Sequence, residues 1–153
     1  MLSNIILASK SKVRQNILEE NNILCDVEPS NVDEDMVKES LLSKKASPEI
    51  ISKNLAELKA NKVSSRNEER IVLGADSVID LEGELISKPQ DRKEALTILR
   101  KLNGKEHHLI SSVCISKNGF MIWNFTDASN LIMKKLNSDE IKLYLSKIRD
   151  KEL

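Results

Sequence analysis

Aromatic residues are nearly absent from this chain of 153 residues: two Phe, one Trp and one Tyr. That scarcity excludes a platform on which successive bases of a nucleic acid could stack. Charge of one sign is lacking too. Lys plus Arg number 24 and Asp plus Glu number 24, for a formal net charge of zero. Bulk electrostatic attachment to nucleic acid or to a membrane surface is therefore disfavoured, although a local basic pocket remains compatible with neutrality. No apolar run approaches the length of about 20 residues that a membrane span needs. The N-terminal stretch MLSNIILASKSK has neither a basic lead nor a long apolar core, so no signal peptide is expected and the cytoplasm is the expected location. Only two cysteines are present, Cys25 and Cys114, each inside an apolar segment. They read as two buried thiols rather than a disulfide or a nucleophile.

What is present suits a soluble globular domain: 40% hydrophobic and 31% charged residues. A chain of this size is expected to bury roughly 70% of its unfolded surface. Asn4–Ala8 reads as a short buried strand, broken by Ser9-Lys10-Ser11-Lys12. Val13, Ile17 and Leu18 then recur at helical spacing over 12–22, and Ile23–Glu28 is a second strand. A helix is expected to start near Asp35. Ser47-Pro48-Glu49 marks another helix start, and Ile50, Ile51, Leu55, Leu58 and Val63 give it one apolar face. Residues 71–79 form a strand, and Glu82-Gly83 turns into Glu84–Ser87. Asp91 with Glu94 opens a helix that Gly104 closes. His107–Ser116 is strand-like, and Asn118-Gly119 is a hairpin turn into Phe120–Thr126. Ser129–Lys135 is a further strand, and Asn137 with Glu140 caps a last helix. Strands that alternate with helices early and form hairpins late predict an α/β fold, a mixed sheet flanked by helices, in a single domain over 1–153.

Five constellations could carry chemistry. In LASKSKVRQ (7–15), Ser9, Ser11 and Arg14 sit on a strand-to-helix turn, where backbone N–H groups and the helix dipole favour an anion. The alternative is a plain capped helix. The turn lacks the glycines of a P-loop. Asp33-Glu34-Asp35 could offer carboxylates to a hard cation, or simply cap a helix. Lys59, in LAELKA, reads by itself as a solvated lysine. Asp76, in IVLGAD, interrupts a buried strand, and an unpaired buried carboxylate must find a partner, shift its pKa or bind metal. Lys88, in ISKP, could stand beside Asp76, a pair suited to activating water next to a phosphate or to a structural ion bridge. His107 and His108 point to opposite faces of a strand, so one buried, hydrogen-bonded histidine is expected rather than a zinc site.

Taken in order, LASKSKVR, VDE (32–34), LAELKA, VLGADSV, ISKP and LNGKEHHLISSV resemble the Maf family of nucleoside triphosphate pyrophosphatases, with Trp123 near its usual place. The resemblance covers residues 5–144. It implies a mixed, strongly twisted sheet with helices on both sides and a cleft between two lobes, related to the inosine triphosphatase fold. It implies hydrolysis of an NTP, noncanonical ones included, to NMP and pyrophosphate with Mg²⁺ or Mn²⁺, a link to septum formation, and a homodimer. By the same resemblance Asp76 would activate water, and Ser9, Ser11 and Arg14 would bind phosphate. Lys59 and Lys88 would contact the triphosphate, and Glu34 would help hold the metal. Ser77 would bear on base selectivity, and His107 would be structural. The chain departs from the family pattern in two places. Lys12 and Val13 replace the Pro and the first Arg of the usual SxSPRR turn. The chain also stops at KIRDKEL, where the family continues past the position of Tyr144. A nucleotide-binding regulatory module with weak or no turnover is the alternative reading.

Overall fold

The structure is a computed structural model, and residues 4–149 are described. In chain order the elements are β1 (Ile5–Leu7), α1 (Lys12–Glu20), β2 (Cys25–Val27), α2 (Glu34–Ser43), α3 (Pro48–Ser64), β3 (Val72–Leu81), β4 (Glu84–Ile86), α4 (Arg92–Leu102), β5 (Glu106–Lys117), β6 (Phe120–Ile132) and α5 (Ser138–Ser146). Each helix starts where a short polar side chain accepts a hydrogen bond from an otherwise orphaned N–H. Ser11, Asp33, Ser47, Asp91 and Asn137 fill that position in turn. At Asn137 the full reciprocal capping box with Glu140 is formed. Such a cap is worth about 1 kcal/mol.

The sheet is mixed and six-stranded, in the order β2-β1-β3-β5-β6, with β4 beside β3. β1 pairs in parallel with both β2 and β3, so the chain reverses its direction of travel across the sheet at β1. Ligands of open α/β sheets collect at the carboxyl ends of strands at such a reversal. The edges of β3 complete the opening. β5 lines one side of β3 from Val72 to Asp80. On the other side β1 reaches only to Leu73, and β4 begins at Ile79. Residues 74–78 thus carry a strand on one side only.

The longest helix, α3, covers one face of β3 and β5. Ile51, Leu55, Ala56, Ala60 and Val63 are all essentially buried. Ile6, Ala8, Val63 and Val72 form one core cluster, and Ala56, Ala60 and Cys114 another. Gly74 permits the close approach: a Cβ there would lie 2.4 Å from the Ala56 carbonyl oxygen and 2.7 Å from the Ala60 nitrogen. The small residues of the GAD segment therefore make room for a helix.

Three expectations need correction. Phe120–Thr126 and Ser129–Lys135 are not two strands; β6 runs unbroken from Phe120 to Ile132. Its partner β5 pairs with it along its whole length, from Lys117 opposite Phe120 to Glu106 opposite Ile132, with one register shift between Ile115 and Ser116. An edge strand can also hold Asp127 toward solvent. Cys25 is only half-buried, because β2 is a short edge strand with a single neighbour, whereas Cys114 is buried. His107 is buried as expected, but its Nδ1 has no hydrogen-bond partner. His108 is exposed. The stop at Leu153 lies outside the described residues. No helix among the described residues is long and apolar enough to cross a membrane.

Candidate active site

The strand-to-helix turn after β1 folds on its own residues. The Ser9 hydroxyl accepts from Arg14 Nη1 at 3.0 Å and from the Ser11 N–H at 3.2 Å. A hydroxyl has two acceptor sites and one proton to give. With both sites used, the remaining capacity of this buried group is to donate. Ser11 in turn caps α1 through the Arg14 N–H at 3.4 Å. The first turn of α1 holds no acidic residue, so nothing there offsets the positive end of the helix dipole. Val13, at the family's arginine position, is 68% exposed. Lys12 is tied to Gln15.

Beside the unpaired stretch of β3 stands the charged centre. Gly74 and Asp76 share the face that α3 covers, because alternate residues of a strand share a side. Asp76 is 5% exposed, and its Oδ1 accepts from Lys59 Nζ at 2.9 Å. The same ammonium donates to Glu34 Oε1 at 2.8 Å and to the Ala75 carbonyl at 3.5 Å. Lys59 is therefore not the solvated lysine its helix pattern suggests; it is 5% exposed. In the acidic triplet, Asp33 caps α2 through the Met36 N–H, while Glu34 turns toward Lys59. Burial pushes the Glu34 carboxyl up, but the hydrogen bond and charge of Lys59, with Lys38 and Lys88 nearby, outweigh it and hold the group below the usual range. Asp76 Oδ2 is buried and has no partner.

Lys88 does not pair with Asp76, as its place in the next hairpin arm had suggested. The hairpin leaves it exposed beyond β4, in the field of Glu34. Ser77 faces the opposite side of the sheet from Asp76, is exposed, and shares a hydrogen bond with Ser111 at 3.1 Å. The structure thus gathers Glu34, Lys59 and Asp76 at one point and Ser9, Ser11 and Arg14 on the turn. It leaves Ser77 on the other face.

Two residues were missed from sequence. Ser52, fully buried, donates to the Asp76 carbonyl at 3.3 Å. Its signal was legible: Ser52 lies seven residues before Lys59, on the same helical face. Ser112 is the cross-strand partner of Asp76, and its hydroxyl is 2.9 Å from that of Thr126. A hollow of about 200 Å³ opens beside Ser112 between α3 and the β5–β6 hairpin, but none of Glu34, Lys59 and Asp76 lines it.

A buried carboxylate with one free oxygen, a second acidic side chain on the same ammonium and an anion-ready turn make a charged site on an open α/β sheet. The architecture has a solved counterpart. The Ham1 protein of Staphylococcus aureus matches 85% of this chain and 71% of its own, with a TM-score of 0.55 at 14% identity. That likeness concerns architecture alone. Sequence comparison gives the family. The model for Maf-like proteins matches residues 4–151, and the chain belongs to that family. The nucleoside triphosphate pyrophosphatase of Pelagibacter ubique (strain HTCC1062) is 67% identical over 153 residues, which span all of this chain and 78% of the relative. The 7-methyl-GTP pyrophosphatase of Brucella abortus biovar 1 (strain 9-941) is 32% identical over 150 residues, 98% of this chain and 75% of the relative.

Proposed function

We propose that this chain hydrolyses nucleoside triphosphates to the monophosphate and pyrophosphate. The observation that carries the reading is the unpartnered Oδ2 of Asp76, buried while its twin oxygen is fixed by Lys59. The names of the relatives at 67% and 32% identity support it. In the proposed reaction a water oxygen bonds to the α-phosphorus and the bond from that phosphorus to the bridging oxygen of pyrophosphate breaks. Asp76 Oδ2 orients the water and receives its proton. The donating hydroxyl of Ser9, the N-terminus of α1 behind Ser11, and Arg14 take up phosphate charge. Lys88 adds positive charge from beyond β4. Local cations thus meet a ligand of about four negative charges without the protein as a whole being basic.

The family resemblance implies a divalent cation, Mg²⁺ or Mn²⁺, and the residues fit one. Mg²⁺ is commonly held by one or two carboxylates together with substrate phosphates. Glu34 Oε1 and Asp76 Oδ1 converge on one ammonium, two carboxylates with a single positive charge between them, and Asp76 Oδ2 stays free for the water. When bound, the cation would neutralise charge developing on the phosphates.

The test is pyrophosphate release from canonical NTPs and 7-methyl-GTP with Mg²⁺. Wild type turns over at least one of them, and Asp76→Asn loses about 10²–10⁴-fold in kcat. Equal rates for wild type and mutant would sink the proposal. One observation favours a second reading, a nucleotide-binding module without turnover: exposed Val13 stands where the family turn has arginine. Saturable nucleotide binding by calorimetry with no pyrophosphate released would select it.

A further inference from the structure

Lys59 is more fully engaged than a phosphate-binding lysine should be. An ammonium has three N–H donors. Three oxygens take them: Glu34 Oε1 at 2.8 Å, Asp76 Oδ1 at 2.9 Å and the Ala75 carbonyl at 3.5 Å. No donor is left for a phosphate. The charges do not balance either, because two carboxylates face one ammonium. The shortfall is felt at Asp76 Oδ2, a buried acceptor that nothing satisfies. The neighbours that could relieve it are few. Ser52 gives its proton to the Asp76 backbone carbonyl rather than to the carboxylate. Lys38 and Lys88 act on Glu34, across the cluster.

We infer that Lys59 is a positioning residue, the internal counter-ion of the Glu34–Asp76 pair, and that its ammonium competes with a divalent cation for the same carboxylate oxygens. This rests on the reading of the site as a metal-assisted triphosphate centre. Without Lys59, two carboxylates on α2 and β3 would repel across a largely dry gap. With it, the ammonium occupies the two oxygens that a metal ion would take. A doubly charged ion balances both carboxylates and so can displace the ammonium. The direct contact between Lys59 and the triphosphate that the resemblance implies is then open only after that exchange.

The measurement is Mn²⁺ affinity in the absence of nucleotide, by titration calorimetry, for wild type, Lys59→Gln and Lys59→Arg, with circular dichroism to confirm folding. Removing the competing charge tightens Mn²⁺ binding to Lys59→Gln by about tenfold or more over wild type. Lys59→Arg keeps the charge and stays within about threefold of wild type. Unchanged or weaker binding by folded Lys59→Gln overturns the inference. The wild-type protein supplies a second arm. A slowly exchanging lysine ammonium signal in ¹H–¹⁵N spectra, assigned by its loss in Lys59→Arg, is present without metal and disappears at saturating Mg²⁺. A signal indifferent to Mg²⁺ also overturns the inference, and this arm decides alone if Lys59→Gln does not fold. Neither arm uses turnover. Wild type that releases no pyrophosphate while Lys59→Gln gains Mn²⁺ affinity refutes the activity and leaves the counter-ion role standing.

Discussion

At the scale of single residues, the distribution of bonds separates groups that serve the site from groups that merely lie near it in sequence. Ser9 holds Arg14 and the Ser11 backbone with its two acceptor sites and keeps a proton to donate. Ser9→Ala removes both the donor and the anchor of Arg14. We expect kcat/KM for the preferred triphosphate to fall about tenfold or more, chiefly through KM, since hydrogen bonds involving charged groups are worth about 1.5–3 kcal/mol. A change confined to kcat would argue against a binding role. Ser77 is the contrast. It faces away from Asp76 and pairs with Ser111, so Ser77→Ala should alter steady-state rates on an NTP panel by less than about threefold. A larger, base-dependent change would show that this face also reaches the substrate. The turn was legible in sequence because its members lie close along the chain, Ser9 and Arg14 being only five residues apart. The charged centre was not, because Lys59 meets a carboxylate 17 residues away on another element. Sequence proximity instead pointed to Lys88, which the β3–β4 hairpin carries past the site. Only the ordered family motifs drew Glu34, Lys59 and Asp76 together.

At the scale of elements, the contact of α3 with β3 sets the centre, and Gly74 sets that contact. Its Cβ would collide with helix backbone, the Ala56 carbonyl oxygen at 2.4 Å and the Ala60 nitrogen at 2.7 Å. Backbone cannot swing aside as a side-chain tip can. Gly74→Ala should therefore cost about 1–3 kcal/mol or more, read as a lower urea midpoint, and should reduce turnover because Lys59 moves with the helix. Unaltered stability would mean that α3 sits farther from the strand. A second contact ties the far end of α3 to the segment after β2. Glu28 accepts from Arg66 at 2.9 Å and from Asn67 at 2.9 Å. The hydrogen bond from Arg66 first, then that from Asn67, holds the Glu28 carboxyl below its usual range, against a smaller upward push from burial. A depressed folded-state pKa stabilises above the unfolded value and loses that contribution as pH falls through the folded one. Glu28→Gln should thus lower the urea midpoint at neutral pH and converge on wild type below about pH 4. The exposure of the pair keeps the effect modest, and parallel midpoint curves would remove Glu28 from the acid response. Helix starts were readable because each cap lies within three residues of the N–H it serves. The unity of β6 was not, because its continuity is imposed by β5 rather than by its own pattern.

At the scale of the whole molecule, the two ends of the sheet differ. The β2 end is three residues long, whereas β6 presents 13 residues with no further strand beside it among the described residues. Cys114 packs against α3, so Val113 and Ile115 face the other way, and their partners Phe125 and Trp123 share that uncovered face. Trp123 is 49% and Phe125 55% exposed, stacked with ring centres 6.2 Å apart. All four aromatic residues of this chain are exposed, and two of them share this face. An unpaired edge with an apolar flank is a template for strand addition, and a net charge of zero offers no repulsion between copies. The homodimer implied by the family resemblance accordingly has a physical candidate for its contact in β6, with a second copy of the chain as the occupant. In sedimentation velocity the chain, 17.3 kDa as a monomer, should shift toward twice that mass as its concentration rises through the micromolar range. Salt near 0.5 M should not reverse the shift, because screening weakens charge pairs and not apolar burial. Phe125→Lys places a charge on the flank, where β6 is already solvent-facing, and should hold the chain monomeric with its thermal midpoint nearly unchanged. Wild type that stays monomeric at every concentration would remove β6 as a contact surface, and a dimer indifferent to Phe125→Lys would move the contact elsewhere.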